Sequence, residues 1–182
     1  MQDMRKSMAF VDVARPIIRG LLNGGETLAV EGDDNEVCRM LDMTCGTDYF
    51  HVWDSKGLVW GVASRIQDYN PDADRNGRGP FNSFTVRKAR ASGVKTEYEK
   101  RKYAIEHHGV YPYLTMQAYI NTKSGEVESL ALVRTEDLMD FVDKGLASER
   151  HTGAAQTGQA AFFVAYWDEM IQAGYKVLKY SA

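Results

Sequence analysis

Residues 46–67 have the sequence GTDYFHVWDSKGLVWGVASRIQ, in which two apolar runs lie on either side of a short polar turn. The runs, Tyr49–Trp53 and Leu58–Ile66, are rich in the aromatic and β-branched residues that favour strands. The turn Asp54–Gly57 ends in a glycine, which can adopt the positive φ that tight hairpin turns often require. The pattern therefore predicts a β-hairpin of two antiparallel strands.

Three polar side chains lie near the ends of this predicted hairpin. Asp48 precedes the first strand, and Arg65 and Gln67 lie late in the second strand. Residues two positions apart in a strand share a face, so Arg65 and Gln67 lie on the same side. An acidic residue that faces polar residues of the next strand is one way in which nucleases build a metal site. The simpler alternative is that Asp48 caps the strand start and pairs with Arg65 in a purely structural contact.

The composition is that of an ordinary globular protein. Of the 182 residues, 44% are hydrophobic and 26% are charged, which favours one domain over residues 1–182. The spacing of apolar residues over Met4–Leu22, followed by Asn23–Gly25, predicts that residues 1–25 form an N-terminal helical segment. No apolar run has membrane-spanning length, so we expect no membrane partner. The two cysteines suit a reducing environment, and we expect a cytoplasmic protein.

The rest of the chain contains further predicted helices and strands. A short helix with Glu36 follows a group of good N-cap residues, and Thr96–Glu99 is a capping box that begins a helix reaching His108. Residues 144–159 are small and polar, which predicts an exposed loop. The pattern predicts an α/β (α+β) fold with a central mixed β-sheet flanked by helices. Five further strands are predicted: Phe81–Arg87, Tyr113–Asn121, Val127–Arg134, Phe162–Trp167 and Tyr175–Tyr180.

A basic stretch follows the third predicted strand and continues into the capped helix. The chain has a net charge of −3, so nucleic-acid binding would need such a local patch of positive charge. The alternative is a helix face neutralised by its own acids, since Glu97 precedes Arg101 by four residues. Both interpretations stay open. The candidate nucleic-acid-binding residues are Arg87, Lys88, Arg90, Lys95, Lys100, Arg101 and Lys102.

The order of these elements has a known counterpart. A helix with Glu36 leads to a strand that begins after Asp48, then to a turn and the strand Trp60–Gln67, and a third strand, a helix and more strands follow. The strand-to-helix run Leu130–Leu138 and the ending Phe162–Met170 belong to the same pattern. This order resembles the PD-(D/E)XK, or restriction-endonuclease-like, nuclease superfamily over about residues 30–180. The resemblance implies a restriction-endonuclease-like fold and hydrolysis of phosphodiester bonds with Mg²⁺ or Mn²⁺.

The resemblance also implies roles for particular residues. In that superfamily a strand Asp and the acidic residue of an E-x-K motif bind Mg²⁺, while the Lys positions water. Asp48 matches the strand Asp and Glu36 matches a helix Glu, so these two are the implied metal ligands. The E-x-K step falls on Ala63–Arg65 or on Arg65–Gln67, and neither supplies the second carboxylate. In the implied catalytic set, Gln67 orients water and Arg65 stabilises charge on the phosphate beside Asp48.

Two hypotheses of different classes follow. The first is a metal-dependent nuclease or nuclease-like DNA-binding protein, of a size that suits a phage or mobile element. The second is a catalytically inactive interaction module of the same fold that binds and inhibits a protein partner. A homodimer is compatible with either hypothesis. Aromatic residues are enriched at interfaces, and the candidates for such a surface are Tyr111, Tyr113, Tyr119, Tyr166 and Trp167.

Overall fold

A computed structural model of the chain describes residues 13–30, 36–74, 77, 79–89, 94–152 and 160–182. Within these ranges the helices are α1 (13–21), α2 (Glu36–Met40), α3 (Glu97–Glu106), α4 (Thr135–Asp143) and α5 (Trp167–Gln172). The strands are β1 (Glu26–Ala29), β2 (Tyr49–Trp53), β3 (Leu58–Tyr69), β4 (Ser83–Ala89), β5 (Leu114–Asn121), β6 (Val127–Arg134), β7 (Ser148–Thr152), β8 (Ala160–Tyr166) and β9 (Val177–Ser181). Of the predicted N-terminal helical segment, residues 1–12 lie outside the described residues.

Six strands form the central sheet in the order β1-β2-β3-β5-β6-β9. All neighbours are antiparallel except β3 and β5, which run parallel. Parallel neighbours need a long crossover, and the segment that contains β4 and α3 provides it. The predicted α/β class, with a mixed sheet flanked by helices, is therefore confirmed.

The predicted hairpin is formed by β2 and β3. The two strands pair antiparallel from Tyr49 opposite Val62 to Trp53 opposite Leu58. Gly57 ends the turn with a φ of +61°, which glycine adopts without steric cost. The second strand extends three residues beyond the predicted run, to Tyr69, because its second half pairs with β5.

A second sheet of three strands, in the order β4-β8-β7, packs against the central one. The strand predicted over Phe81–Arg87 is present as β4, but it pairs with β8 and not with the hairpin. The predicted exposed loop over residues 144–159 was wrong in part, because β7 forms there. Ser148–Thr152 has little apolar character of its own, and its strand conformation comes from pairing with β8.

The predicted C-terminal strand-turn-strand contains a helix. Helix α5 lies between β8 and β9, where a turn was predicted. Trp167 and Met170 are fully buried on its inner side, so burial of an apolar face stabilises a helix in place of a simple turn.

Both faces of the central sheet are covered. On one face α1 packs against the sheet through Ala14 and Ile18. On the other face α4, α5 and the second sheet enclose a separate apolar cluster. Side chains alternate along β6, so Leu132 belongs to the first cluster and Val133 to the second. Among the described residues, no helix combines the length and apolar character that a membrane crossing needs.

Candidate functional site

A polar pocket of about 220 Å³ lies between β3 and the start of α3. Ala63 and Arg65 lie on the sheet face opposite α1, because Val62 packs against α1 and side chains alternate along a strand. We call this cavity the polar pocket. It is lined by Asp42, Cys45, Gly46, Asp48, Ala63, Ser64, Arg65, Lys95, Glu97, Lys100 and Arg101.

Glu97, the first residue of α3, is the centre of an ion-pair network in this pocket. Its Oε2 accepts a hydrogen bond from Arg65 at 2.9 Å, and its Oε1 lies 2.7 Å from the Arg101 guanidinium. The backbone N–H of Arg87 also donates to Oε2, at 3.3 Å. Burial acts to raise the pKa of Glu97, but the attraction of Arg101 and Arg65 and the hydrogen bond from Arg87 outweigh burial and lower this pKa below its usual value of 4.5. Glu97 is therefore a carboxylate at neutral pH.

A series of side-chain hydrogen bonds connects the Arg65 guanidinium to β4 and β5. Its Nη1 donates to Thr85 Oγ1 at 3.2 Å, and that hydroxyl donates to Gln117 Oε1 at 3.3 Å. Gln117 is buried on β5, directly opposite Arg65 in the parallel pairing. These contacts join β3, β4 and β5, so the position of the guanidinium is set by three strands.

Arg101 is held in a similar way and is only 4% exposed. Its Nη1 donates to Thr115 Oγ1 at 3.3 Å, and Thr115 in turn contacts the hydroxyl of Thr135 at 3.0 Å. The predicted pairing of Glu97 with Arg101 across one helical turn is confirmed. Arg101 therefore supports the wall of the polar pocket and cannot act as a mobile surface cation.

Asp48 lies immediately before β2 and lines the same pocket as Arg65. The backbone N–H of Ser64 donates to its Oδ2, and its own N–H donates to Val62 O at 3.0 Å. Extending the hairpin register places Asp48 opposite Ala63, on the same face as Arg65. The structure thus brings these two predicted site residues together.

The other two residues of the predicted site lie outside the lining of the polar pocket. Glu36 is exposed as the first residue of α2. Gln67 is half-buried further along β3, opposite Tyr119 of β5. In the ranges that the structure describes, no group of three or more His, Cys, Asp or Glu side chains is placed to hold a metal ion. Of the two metal ligands that the resemblance implies, only Asp48 lines the polar pocket, so the structure does not bring together the implied pair for a Mg²⁺ or Mn²⁺ centre.

The residues of the basic stretch lie in different parts of the structure, and only some of them line the polar pocket. Lys95, Lys100 and Arg101 line the polar pocket. Lys95 and Lys100 are both exposed, and Lys100 Nζ donates to the carbonyl oxygen of Met43 at 2.9 Å. Arg90 lies outside the described residues. Two exposed lysines are thus the cations of this stretch that a ligand in the pocket can reach most directly.

The remaining cations of the stretch have partners elsewhere. Lys88 forms an ion pair with Glu149 of β7 at 2.5 Å, and Lys102 pairs with Asp143 of α4 at 3.0 Å. The Arg87 guanidinium carbon lies 5.4 Å from the centre of a phenylalanine ring on β8. These three side chains link α3 and the second sheet to their neighbours, and the two acids and the phenylalanine ring lie on other elements and not on α3 itself.

The sequence interpretation missed Glu97 as a member of the site. The available signal was its position beside Thr96, whose capping box with Glu99 is present in the structure and fixes where α3 begins. The partnership of Glu97 with Arg65 has no local signal, because the two residues are 32 positions apart.

The aromatic candidates for an interface differ in how far they are buried. Tyr119 is 2% exposed and Trp167 is 1% exposed, and both pack in the second apolar cluster. Tyr113 is 36% exposed. Tyr111 donates to Glu136 at 2.5 Å, which, with burial as the smaller cause, raises the pKa of this tyrosine to about 12. Core packing therefore accounts for two of the five residues.

Comparisons with known proteins add no assignment. The chain matches no protein-family model, no curated protein sequence and no solved structure. The interpretation of the polar pocket therefore depends on the contacts and charges of its own residues.

Proposed function

We propose that the chain is a nuclease-like DNA-binding protein that holds the phosphodiester backbone in the polar pocket. One observation carries this proposal, namely the surplus of positive charge in the lining. Arg65, Arg101 and two exposed lysines line the pocket beside three carboxylates, and one of those carboxylates, Glu97, is shared by both arginines. Phosphate contacts with Lys and Arg supply most of the affinity in DNA binding that is independent of sequence.

The two kinds of cation have different parts in this proposal. The guanidinium of Arg65 is fixed by Thr85 and Glu97, and a fixed planar guanidinium suits a phosphate group. Lys95 and Lys100 have exposed side chains, and the long aliphatic stem of a lysine lets its ammonium group follow the backbone of a bound strand. The arginine therefore sets the position of one phosphate, while the lysines add affinity that depends on salt.

Hydrolysis of the bound strand is not part of this proposal. Of the two metal ligands that the resemblance implies, Glu36 lies outside the pocket lining, and the pocket carboxylate of Glu97 is already engaged by two arginines. The element order that resembles the restriction-endonuclease-like superfamily supports a relationship of fold, and we include that relationship in the proposal. If the chain had a metal-dependent activity, substitution of Asp48 would abolish that activity.

The test compares two double variants with equal changes of charge. In Lys95→Glu with Lys100→Glu, we expect weaker binding to duplex DNA and a smaller salt dependence, by about 0.9 in the logarithmic slope for each lost phosphate contact. The control is Lys123→Glu with Lys179→Glu, because these lysines pair with Asp72 and Asp168 away from the pocket. Fluorescence anisotropy of labelled DNA at several salt concentrations measures both quantities.

Two results of the binding experiment would contradict the proposal. One is the absence of DNA binding by the unmodified chain at low salt, and the other is an equal loss of affinity in the control variant. The same proteins, together with Asp48→Asn, are incubated with plasmid and single-stranded DNA in the presence of Mg²⁺ or Mn²⁺. We expect no cleavage. Cleavage that Asp48→Asn abolishes would overturn the non-hydrolytic proposal in favour of a nuclease.

A further inference from the structure

A second pocket, of about 290 Å³, lies on the opposite face of the central sheet, beside the end of α1. Its size is close to the lower end of the range of about 300–1,000 Å³ that is typical of small-molecule sites. We call it the aromatic pocket. Its lining includes Trp53, Lys56, Trp60, Tyr113, Arg134 and Lys176.

Three aromatic rings form one continuous wall of this pocket. The ring centres of Trp53 and Trp60 are 4.5 Å apart at an angle of 72°, and those of Trp60 and Tyr113 are 4.7 Å apart at 39°. Tyr113 is 36% exposed and Trp60 is half-buried, so part of each ring is accessible. Stacking on such rings is how proteins hold nucleobases without regard to their sequence.

The charged residues of the lining are all cations. They are Lys56, Arg134 and Lys176, and no carboxylate of the described residues lines the pocket, although the chain as a whole is acidic. Arg134 already pairs with two acids at the start of α4. Lys56 and Lys176 are exposed and have no ion pair among the residues described in the structure. An aromatic ligand with a negative charge therefore suits this pocket better than a neutral one.

Trp53 adds an independent observation. It is 5% exposed, and its indole Nε1–H is buried with no hydrogen-bond acceptor in the described part of the chain. A buried donor without an acceptor is costly for the folded state. Trp53 lines the pocket, so a bound base would lie next to the residue that carries this unpaired donor.

We propose that the aromatic pocket binds one nucleotide. The base stacks on Trp60 and Tyr113, and the phosphate is held by Lys56 and Lys176. The nucleotide is either free in solution or the phosphorylated end of a DNA strand, since the two share this chemistry. This site is independent of the DNA-binding function proposed for the polar pocket, because the two pockets share no lining residue.

The first measurement is a titration of the full chain with deoxyadenosine 5′-monophosphate. Two of its three tryptophans, Trp53 and Trp60, lie in the aromatic pocket, while Trp167 is buried in the other apolar cluster. We expect saturable quenching of the intrinsic fluorescence. Deoxyadenosine, which lacks phosphate, and ribose 5-phosphate, which lacks a base, are expected to bind more weakly. Single strands with and without a 5′-phosphate distinguish a strand end from a free nucleotide.

Two variants then separate the base from the phosphate. Tyr113→Leu removes a stacking surface and is expected to weaken nucleotide binding by about tenfold. Lys56→Gln with Lys176→Gln is expected to weaken binding of the nucleotide but not of deoxyadenosine. The matched control is Lys123→Gln with Lys179→Gln, which removes the same charge elsewhere. Lys95→Glu with Lys100→Glu is expected to leave the nucleotide affinity unchanged, even if DNA binding is lost.

Several results would overturn the proposal. They are the absence of saturation below about 1 mM nucleotide, equal affinities for the nucleotide and for ribose 5-phosphate, and unchanged affinity in both variants. If Tyr113→Leu does not fold, the double lysine variant decides, because Lys56 and Lys176 are exposed and their replacement leaves the core intact.

Discussion

Glu97 is the residue on which the polar pocket depends most. It neutralises Arg101, which is buried, and it orients Arg65, which is partly accessible. Removing one partner of a buried ion pair lowers the stability of the folded protein by more than the net stabilisation that the pair provides. The reason is that the other charge is left buried without its counter-charge. The carboxylate is therefore a condition for placing two guanidinium groups side by side in the polar pocket.

Glu97→Gln is expected to lower the free energy of unfolding by about 3 kcal/mol at neutral pH. The pKa of Glu97 is lowered in the folded state, so its stabilising contribution is present above the usual value of 4.5 and is lost as the pH falls through the folded-state pKa. The difference in stability between the two proteins should therefore shrink as the pH is lowered below about 4.5. Urea unfolding at a series of pH values measures it.

The control for this prediction is Glu106→Gln. Glu106 is an exposed residue at the other end of α3, and a surface change of this kind alters stability by less than about 0.5 kcal/mol. A difference between the unmodified chain and Glu97→Gln that did not depend on pH in the acid range would contradict the ion-pair interpretation.

At the scale of elements, the start of α3 determines the geometry of the polar pocket. Thr96 Oγ1 accepts from the Glu99 N–H at 3.3 Å, and Glu99 Oε2 accepts from the Thr96 N–H at 2.7 Å. The backbone N–H of Thr96 is the main cause that lowers the pKa of Glu99. The capping box thus fixes the first turn of the helix, from which Glu97, Lys100 and Arg101 extend.

Thr96→Ala is expected to lower stability by about 1 kcal/mol, because an N-cap hydrogen bond is lost. It should also weaken DNA binding, since the helix that carries Lys100 begins less regularly. Thr96→Ser keeps the hydroxyl and is the matched control. Chemical denaturation and DNA-binding anisotropy are measured on the same preparations, and an alanine variant as stable as the serine variant would count against the capping role.

At the scale of the whole molecule, the central sheet joins two apolar clusters. Along β6, Leu130 and Leu132 face α1 while Ala131 and Val133 face α4 and the second sheet. Neither cluster can lose its packing without exposing one face of the same strands. The described part of the chain is therefore expected to unfold in one cooperative transition.

Leu132→Ala, in the first cluster, and Leu138→Ala, in the second, test this expectation. Both leucines are at most 1% exposed, and each truncation is expected to cost about 2–5 kcal/mol. In each variant the transitions followed by tryptophan fluorescence and by far-UV circular dichroism should shift together. Separate transitions, or a shift of one probe alone, would show that the two clusters unfold independently.

The features that the sequence alone determined are those made by residues close together in the chain. The β2–β3 hairpin follows from two apolar runs around one turn, and the start of α3 follows from its capping box. The pairing of Glu97 with Arg101 spans a single helical turn. Each of these depends on interactions within a few residues, which a local pattern records.

Only the tertiary structure decided the rest. The parallel pairing of β3 with β5 places Gln117 directly opposite Arg65. The crossover that this pairing requires contains α3, and it brings Glu97 into contact with the Arg65 guanidinium. Strand β7 and helix α5 likewise depend on neighbours that fold elsewhere in the chain. The stabilisation of these features comes from burial and pairing between segments far apart in sequence, so no local pattern could predict where the two pockets form.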